Sequence, residues 1–138
     1  MLTVILVVYK TEKKKLEYIL ERINKKYPII IIDNSKNYDF SNLKISSKTK
    51  IIRSKNLGNG AGINLGLKHS KTNYVLYSDI DVSLQKNFIK NFFRFSKKIK
   101  DFAIMIPNHG NIKSKRKFIE KYNDEGSMML FNKKNLKN

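Results

Sequence analysis

Two apolar runs limit what this chain can fold into more than any other feature: Leu2-Thr3-Val4-Ile5-Leu6-Val7-Val8 and Ile29-Ile30-Ile31-Ile32. A strand with one face in water alternates apolar and polar residues, and these runs do not. They read as strands covered on both faces, the pattern of a parallel sheet. Between them Leu16, Ile19, Leu20 and Ile23 recur at helical spacing, with Thr11 as the expected N-cap and Pro28 as the stop. Strand, helix, strand is a βαβ unit, and it commits the chain to an α/β fold. The first run is too short to cross a bilayer. It has no basic segment before it and no small-residue cleavage site after it, so it is read as a strand in a cytoplasmic protein.

The rest of the chain continues the alternation. A polar, lysine-rich segment from Lys36 to Lys50 reads as loop, and Ile51-Ile52-Arg53 as a third short strand. A glycine-rich stretch from Asn56 to Leu67 reads as a loop running into a helix. Tyr74-Val75-Leu76-Tyr77 reads as a buried strand that ends in Asp79 and Asp81. A helix is expected from Gln85 to Lys100, with Phe88, Phe92, Phe95 and Ile99 as its core stripe. Phe102 to Ile106 reads as a strand closed by Pro107, Asn108 to Lys121 as a basic surface loop, and Met128 to Phe131 as a last strand. At 138 residues and 41% hydrophobic content the chain is one domain, residues 1–138, with no internal repeat.

Composition narrows the chemistry. With no cysteine and two histidines, disulfides, thiolate zinc sites and a cysteine nucleophile are excluded, and any metal must be held by oxygen. The formal charge of +18 suits an anionic partner, whether nucleic acid, lipid headgroups or phosphorylated substrate. It also matches a chain rich in Lys, Asn and Ile, as an AT-rich genome would encode. Charge alone does not choose between these.

Against 29 basic residues stand 11 acids, and three of them, Asp33, Asp79 and Asp81, fall at expected strand carboxyl ends. In open α/β sheets that rim is where ligands lie. Along an extended chain Asp79 and Asp81 face the same side, so a positive charge is expected between them. A Mg²⁺ or Mn²⁺ ion shared with a diphosphate would supply it, and a strand-end turn in which the aspartates cap backbone N–H groups is the simpler alternative. The glycine stretch fails both the dinucleotide and the P-loop spacings. Gly62 and Gly66 lie four apart on one helix face, each costing roughly 1 kcal/mol against alanine. Either the sheet or a ligand must approach that helix closely.

Five segments in order resemble the amino-terminal half of a family 2 glycosyltransferase of the GT-A fold. They are Thr3 to Lys10, Ile30 to Ser35, Asn56-Leu57-Gly58-Asn59-Gly60-Ala61-Gly62-Ile63-Asn64-Leu65-Gly66, Asp79-Ile80-Asp81, and Gly126-Ser127-Met128-Met129-Leu130. The resemblance implies a Rossmann-like GT-A open sheet, mostly parallel with helices on both faces, shortened at its carboxyl end. It implies that Tyr9 packs on a nucleotide base and that Asp33 accepts the base imide N–H, favouring a UDP-sugar or dTDP-sugar donor. Asn56, Gly58, Gly60 and Asn64 would border the donor, Asp79 would meet the ribose or the metal, and Asp81 would coordinate Mg²⁺ or Mn²⁺. Gly126 and Ser127 would line the sugar and acceptor side. The sequence departs from the family at Val7, where many relatives carry a hydroxyl residue, and at Lys10, where an Asn is frequent. The acidic motif that supplies the general base is not reached, so no catalytic base is assigned within the chain and it is expected beyond Asn138. Asp124 and Glu125 read as loop residues.

The function so implied is metal-dependent, inverting sugar transfer from a nucleotide-diphospho-sugar to a glycan or lipid-linked acceptor in surface polysaccharide synthesis. The basic surface would allow peripheral contact with an anionic membrane at the inner face of the cell membrane. The alternatives are a donor-binding fragment that turns nothing over and a basic nucleic-acid-binding module. Nucleic acid is not the expected partner, because the aromatics follow core periodicity and no stacking signature is present.

Overall fold

The two continuous apolar runs lie at the centre of a six-stranded sheet with strand order β3-β2-β1-β4-β6-β5. The computed structural model describes residues 1–23, 25–99, 101–107 and 126–136. Its elements are β1 (Leu2–Val8), α1 (Lys13–Arg22), β2 (Ile29–Asp33), β3 (Thr49–Arg53), α2 (Asn59–His69), β4 (Tyr74–Ser78), α3 (Phe88–Ser96), β5 (Ile104–Met105) and β6 (Met128–Asn132). The strands β3, β2, β1 and β4 run parallel, whereas β6 pairs antiparallel with β4 and β5 antiparallel with β6. This is the mostly parallel open α/β sheet that the sequence leads one to expect.

Side chains alternate cleanly between the two faces. Leu2, Val4, Leu6 and Val8 of β1 join Ile29 and Ile31 of β2, Leu76 of β4 and Leu130 of β6 under α1 and α3. On the other face Ile5, Ile30, Ile32, Val75, Tyr77 and Phe131 pack with Ile63 of α2. Every residue of β2 is buried, which is why its isoleucines show no polar alternation. At the edge, β3 shows no clean alternation: Lys50, Ile51 and Arg53 are exposed, Thr49 and Ile52 half-buried. The strand accordingly extends two residues earlier than its apolar core suggests.

The closeness of α2 to the sheet settles the question posed by its glycines. A Cβ on Gly66 would stand 2.6 Å from Cδ1 of Ile5, and one on Gly62 2.9 Å from Cγ2 of Val7. Both glycines therefore serve contact with β1, and the sheet is what approaches the helix.

Two local expectations change. Thr11 does not cap α1; its hydroxyl turns back to accept the Tyr9 N–H at 3.3 Å, and Glu12 takes the cap position without a side-chain bond. The third helix is shorter than expected, because Asn87 adopts a left-handed conformation at φ 65° and α3 begins only at Phe88. Its buried residues are Ile89 and Ser96, with Phe88, Phe92 and Phe93 packed on the same core. Phe95 and Ile99 are half-buried beside that stripe and do not lead it. Asn108 to Lys121, and the acids Asp124 and Glu125, lie outside the described residues.

Candidate functional site

The chain runs outward from β1 through β2 to β3, then returns through α2 to β4 on the other side of β1. That reversal places a topological switch point between the carboxyl ends of β1 and β4, where crevices form in open α/β sheets. Tyr9 follows β1 at this rim, Asp33 ends β2, and Asp79 follows β4. The three expected positions are thus gathered along one edge by the strand order itself.

The half of the rim above β1 and β2 is tightly bonded. Asp33 is fully buried; its Oδ1 accepts the Ser35 N–H at 2.9 Å and its Oδ2 the Tyr38 N–H at 3.0 Å. Arg53, its register neighbour at the end of β3, places Nη1 3.4 Å from the same Oδ2 and donates to the Lys36 carbonyl at 2.7 Å. The expected hydrogen bond from a base imide to Asp33 therefore meets an acceptor that is shielded and already engaged by its own turn. Asn34, also buried, donates from its backbone to the Val8 carbonyl at 2.8 Å and from Nδ2 toward the Gly58 carbonyl at 3.4 Å. The Lys10 N–H reaches Ser35 Oγ at 2.9 Å. Tyr9 stands clear of this network, 48% exposed, with the Lys10 ammonium 5.5 Å from its ring centre.

The glycine loop closes onto the same rim. Asn56 Oδ1 accepts the Gly58 N–H at 3.1 Å, and Gly58 takes φ 87°, a conformation that a side chain would strain. Neither Gly58 nor Gly60 has a neighbour within 4 Å of a built Cβ, so their outer side is open space. Asn64, expected to border a donor, is exposed on α2 and makes no hydrogen bond to the rim among the described residues.

The half above β4 is built around Asp79. Its Oδ1 accepts hydrogen bonds from the hydroxyl of buried Tyr77 and, at 3.4 Å, from Asn59 Nδ2, while Asn59 Nδ2 donates to the Tyr77 oxygen at 2.8 Å. Burial, reinforced by the carboxylate it donates to, pushes the Tyr77 phenol well above its ordinary range, so it remains a donor at any working pH. The Asp79 N–H donates to the Ser127 carbonyl at 2.7 Å, which brings Gly126 and Ser127 to the rim through the antiparallel entry of β6. Asp81 is exposed and has no hydrogen-bond partner among the described residues. Asp79 and Asp81 do not lie on one extended strand, which their sharing a side requires. Instead the strand closes at Ser78 and residues 80–81 turn, with Ile80 buried in the core below.

Tyr77, Asn59 and Arg53 were not singled out by sequence reasoning. A tyrosine inside an apolar run reads as core, although its i, i+2 spacing from Asp79 was a usable signal. Arg53 could have been found from the register that sets the ends of two adjacent parallel strands side by side. A separate concavity of about 470 Å³ is lined by Glu21, Arg22, Tyr27, Lys86, Asn87, Ile89 and Lys90. None of these residues stands at a strand carboxyl end.

Fold and rim together define an α/β domain of the kind that binds its ligand at a sheet switch point. More particularly, the chain belongs to glycosyl transferase family 2, whose family model matches residues 3–137. Among solved structures it is similar to that of residues 1–349 of S. aureus TarS, with a TM-score of 0.56 and 18% sequence identity. The match covers 83% of this chain and 38% of that one, so the chain spans well under half the length of this structural relative. A search of curated proteins found no match.

Proposed function

We propose that this chain is the donor-binding portion of a metal-dependent, inverting glycosyltransferase that uses a UDP-sugar or dTDP-sugar. The observation that carries this reading is the convergence, at the β1/β4 switch point, of an exposed aromatic ring, an open glycine loop and two aspartates in a family 2 chain. Tyr9 offers its ring to the base. The diphosphate passes the open side of Gly58 and Gly60, where no side chain stands in the way. Gly126 and Ser127, tied to Asp79 through the backbone, border the sugar.

The residues present fit a divalent ion. Asp79 and Asp81 offer hard oxygen ligands at an open edge, and such ions are commonly held by one or two carboxylates together with substrate phosphates. No group of three or more metal-ligating side chains occurs among the described residues. When bound, the ion would supply positive charge against the nucleoside diphosphate as it leaves. The turn held by Asp33 is proposed as one wall of the base pocket. None of the described residues is proposed as the general base that inversion requires.

The acceptor is proposed to be a glycan or a lipid-linked sugar in surface polysaccharide synthesis, reached from the inner face of the cell membrane. No helix among the described residues is long and apolar enough to cross a membrane. The charge of +18 would hold the protein against anionic lipid. Sedimentation with vesicles should follow their anionic lipid content, and indifference to lipid charge would remove the membrane contact.

The donor reading is tested by a thermal-shift panel of UDP, dTDP and GDP, each with and without Mn²⁺. UDP with Mn²⁺ should raise Tm, and Asp81→Asn should remove most of that rise. Absence of a shift with every nucleotide would refute the reading.

A further inference from the structure

Tyr77 sits where a phenylalanine would serve the core equally well. It is 2% exposed and packs in the layer of Ile5, Val75 and Phe131. A buried hydroxyl must find a partner or lose its hydration without return, so its presence points to what it bonds. It bonds Asp79, the first residue beyond the strand, and it receives Asn59 from the first turn of α2. Asn59 Nδ2 also reaches Asp79 Oδ1, closing a triangle of three side chains drawn from two elements. Both donors address Oδ1, and Oδ2 of Asp79 takes no hydrogen bond among the described residues. Asp81, two residues on, has no comparable support.

We propose that Tyr77 and Asn59 are positioning residues of the donor site, which fix the Asp79 carboxylate so that its Oδ2 faces the cation of an incoming nucleotide-sugar. The inference rests on the donor-site reading above and extends it. Asp79 is set before any ligand arrives, and Asp81 is recruited afterwards. A carboxylate on an unsupported turn must be ordered at the moment of binding, and that ordering weakens affinity. Partners that orient a metal ligand are worth about 10-fold to 100-fold in metal affinity. Because Asn59 belongs to α2, the orientation of Asp79 also depends on where that helix sits against β1.

The test uses the full chain and two measurements. Mn²⁺ binding in the presence of UDP is followed by the electron paramagnetic resonance of free Mn²⁺, and binding of uridine, which carries no phosphate, by ligand-observed NMR. Tyr77→Phe should weaken Mn²⁺ binding about 10-fold and leave uridine binding unchanged. Asn59→Ala should give a smaller loss of the same kind. A role confined to packing would weaken both ligands together, and that result would overturn the proposal. So would Mn²⁺ binding by Tyr77→Phe that equals wild type while wild type itself binds Mn²⁺ and UDP; this outcome leaves the donor-site reading intact. Should wild type bind neither Mn²⁺ with UDP nor uridine, the donor-site reading falls and the positioning role falls with it. If Tyr77→Phe fails to fold, Asn59→Ala, at the exposed start of α2, decides the matter alone.

Discussion

The two halves of the rim solve opposite problems. Above β2 the carboxylate of Asp33 is fully buried and engaged by two backbone N–H groups and a guanidinium, whereas above β4 Asp81 is exposed with no partner among the described residues. Acids at corresponding strand ends thus carry unlike duties. One holds the polypeptide in shape; the other bonds nothing among the described residues. Asp79 is intermediate, half-buried, its Oδ1 engaged and its Oδ2 without a hydrogen bond among the described residues.

The contrast can be broken most directly by removing Asp33. Asp33→Ala leaves the Ser35 and Tyr38 N–H groups without their acceptor and should lower the unfolding free energy by about 3 kcal/mol, read from urea denaturation. The partly exposed Arg53 adds little to that figure. A stability change near zero would mean that the turn at residues 33–38 does not need its carboxylate. Next comes Gly66→Ala, which forces a methyl group against Ile5 and should cost about 2 kcal/mol in the same assay. The companion change Gly60→Ala meets no neighbour and should stabilise the helix by about 0.5 to 1 kcal/mol, while weakening UDP binding if the diphosphate passes there. Smallest of all is the stability effect of Asp81→Asn, within about 0.5 kcal/mol, with loss of the Mn²⁺-dependent thermal shift. If Asp81→Asn instead destabilised the fold as Asp33→Ala does, the division between the two halves would be wrong.

Much of the architecture was legible because β1, β2 and β4 are covered on both faces, so burial wrote itself into uninterrupted apolar runs. The edge strand β3 was read short for the opposite reason, since half-buried Thr49 and exposed Lys50 are polar and carry no apolar mark. The start of α3 was misplaced because nothing in the spacing of its phenylalanines announces the left-handed Asn87. At the rim, the aspartates could be picked out as acids at strand ends in a basic chain. Their different duties could not. The donors that occupy Asp33 are two backbone amides and an arginine from the adjacent strand, and Tyr77 reveals its hydroxyl bond only when Asn59 is brought over it from another element.

The glycines of α2 have one more consequence. A side chain at Gly62 or Gly66 would have to push into Val7 or Ile5, so α2 sits closer to β1 than a residue with a Cβ at either place would allow. The helix is therefore seated against the strand at two points. Since Asn34 bonds the Gly58 carbonyl at its start and Asn59 of its first turn bonds Asp79, that close seating ties the two halves of the rim to one helix.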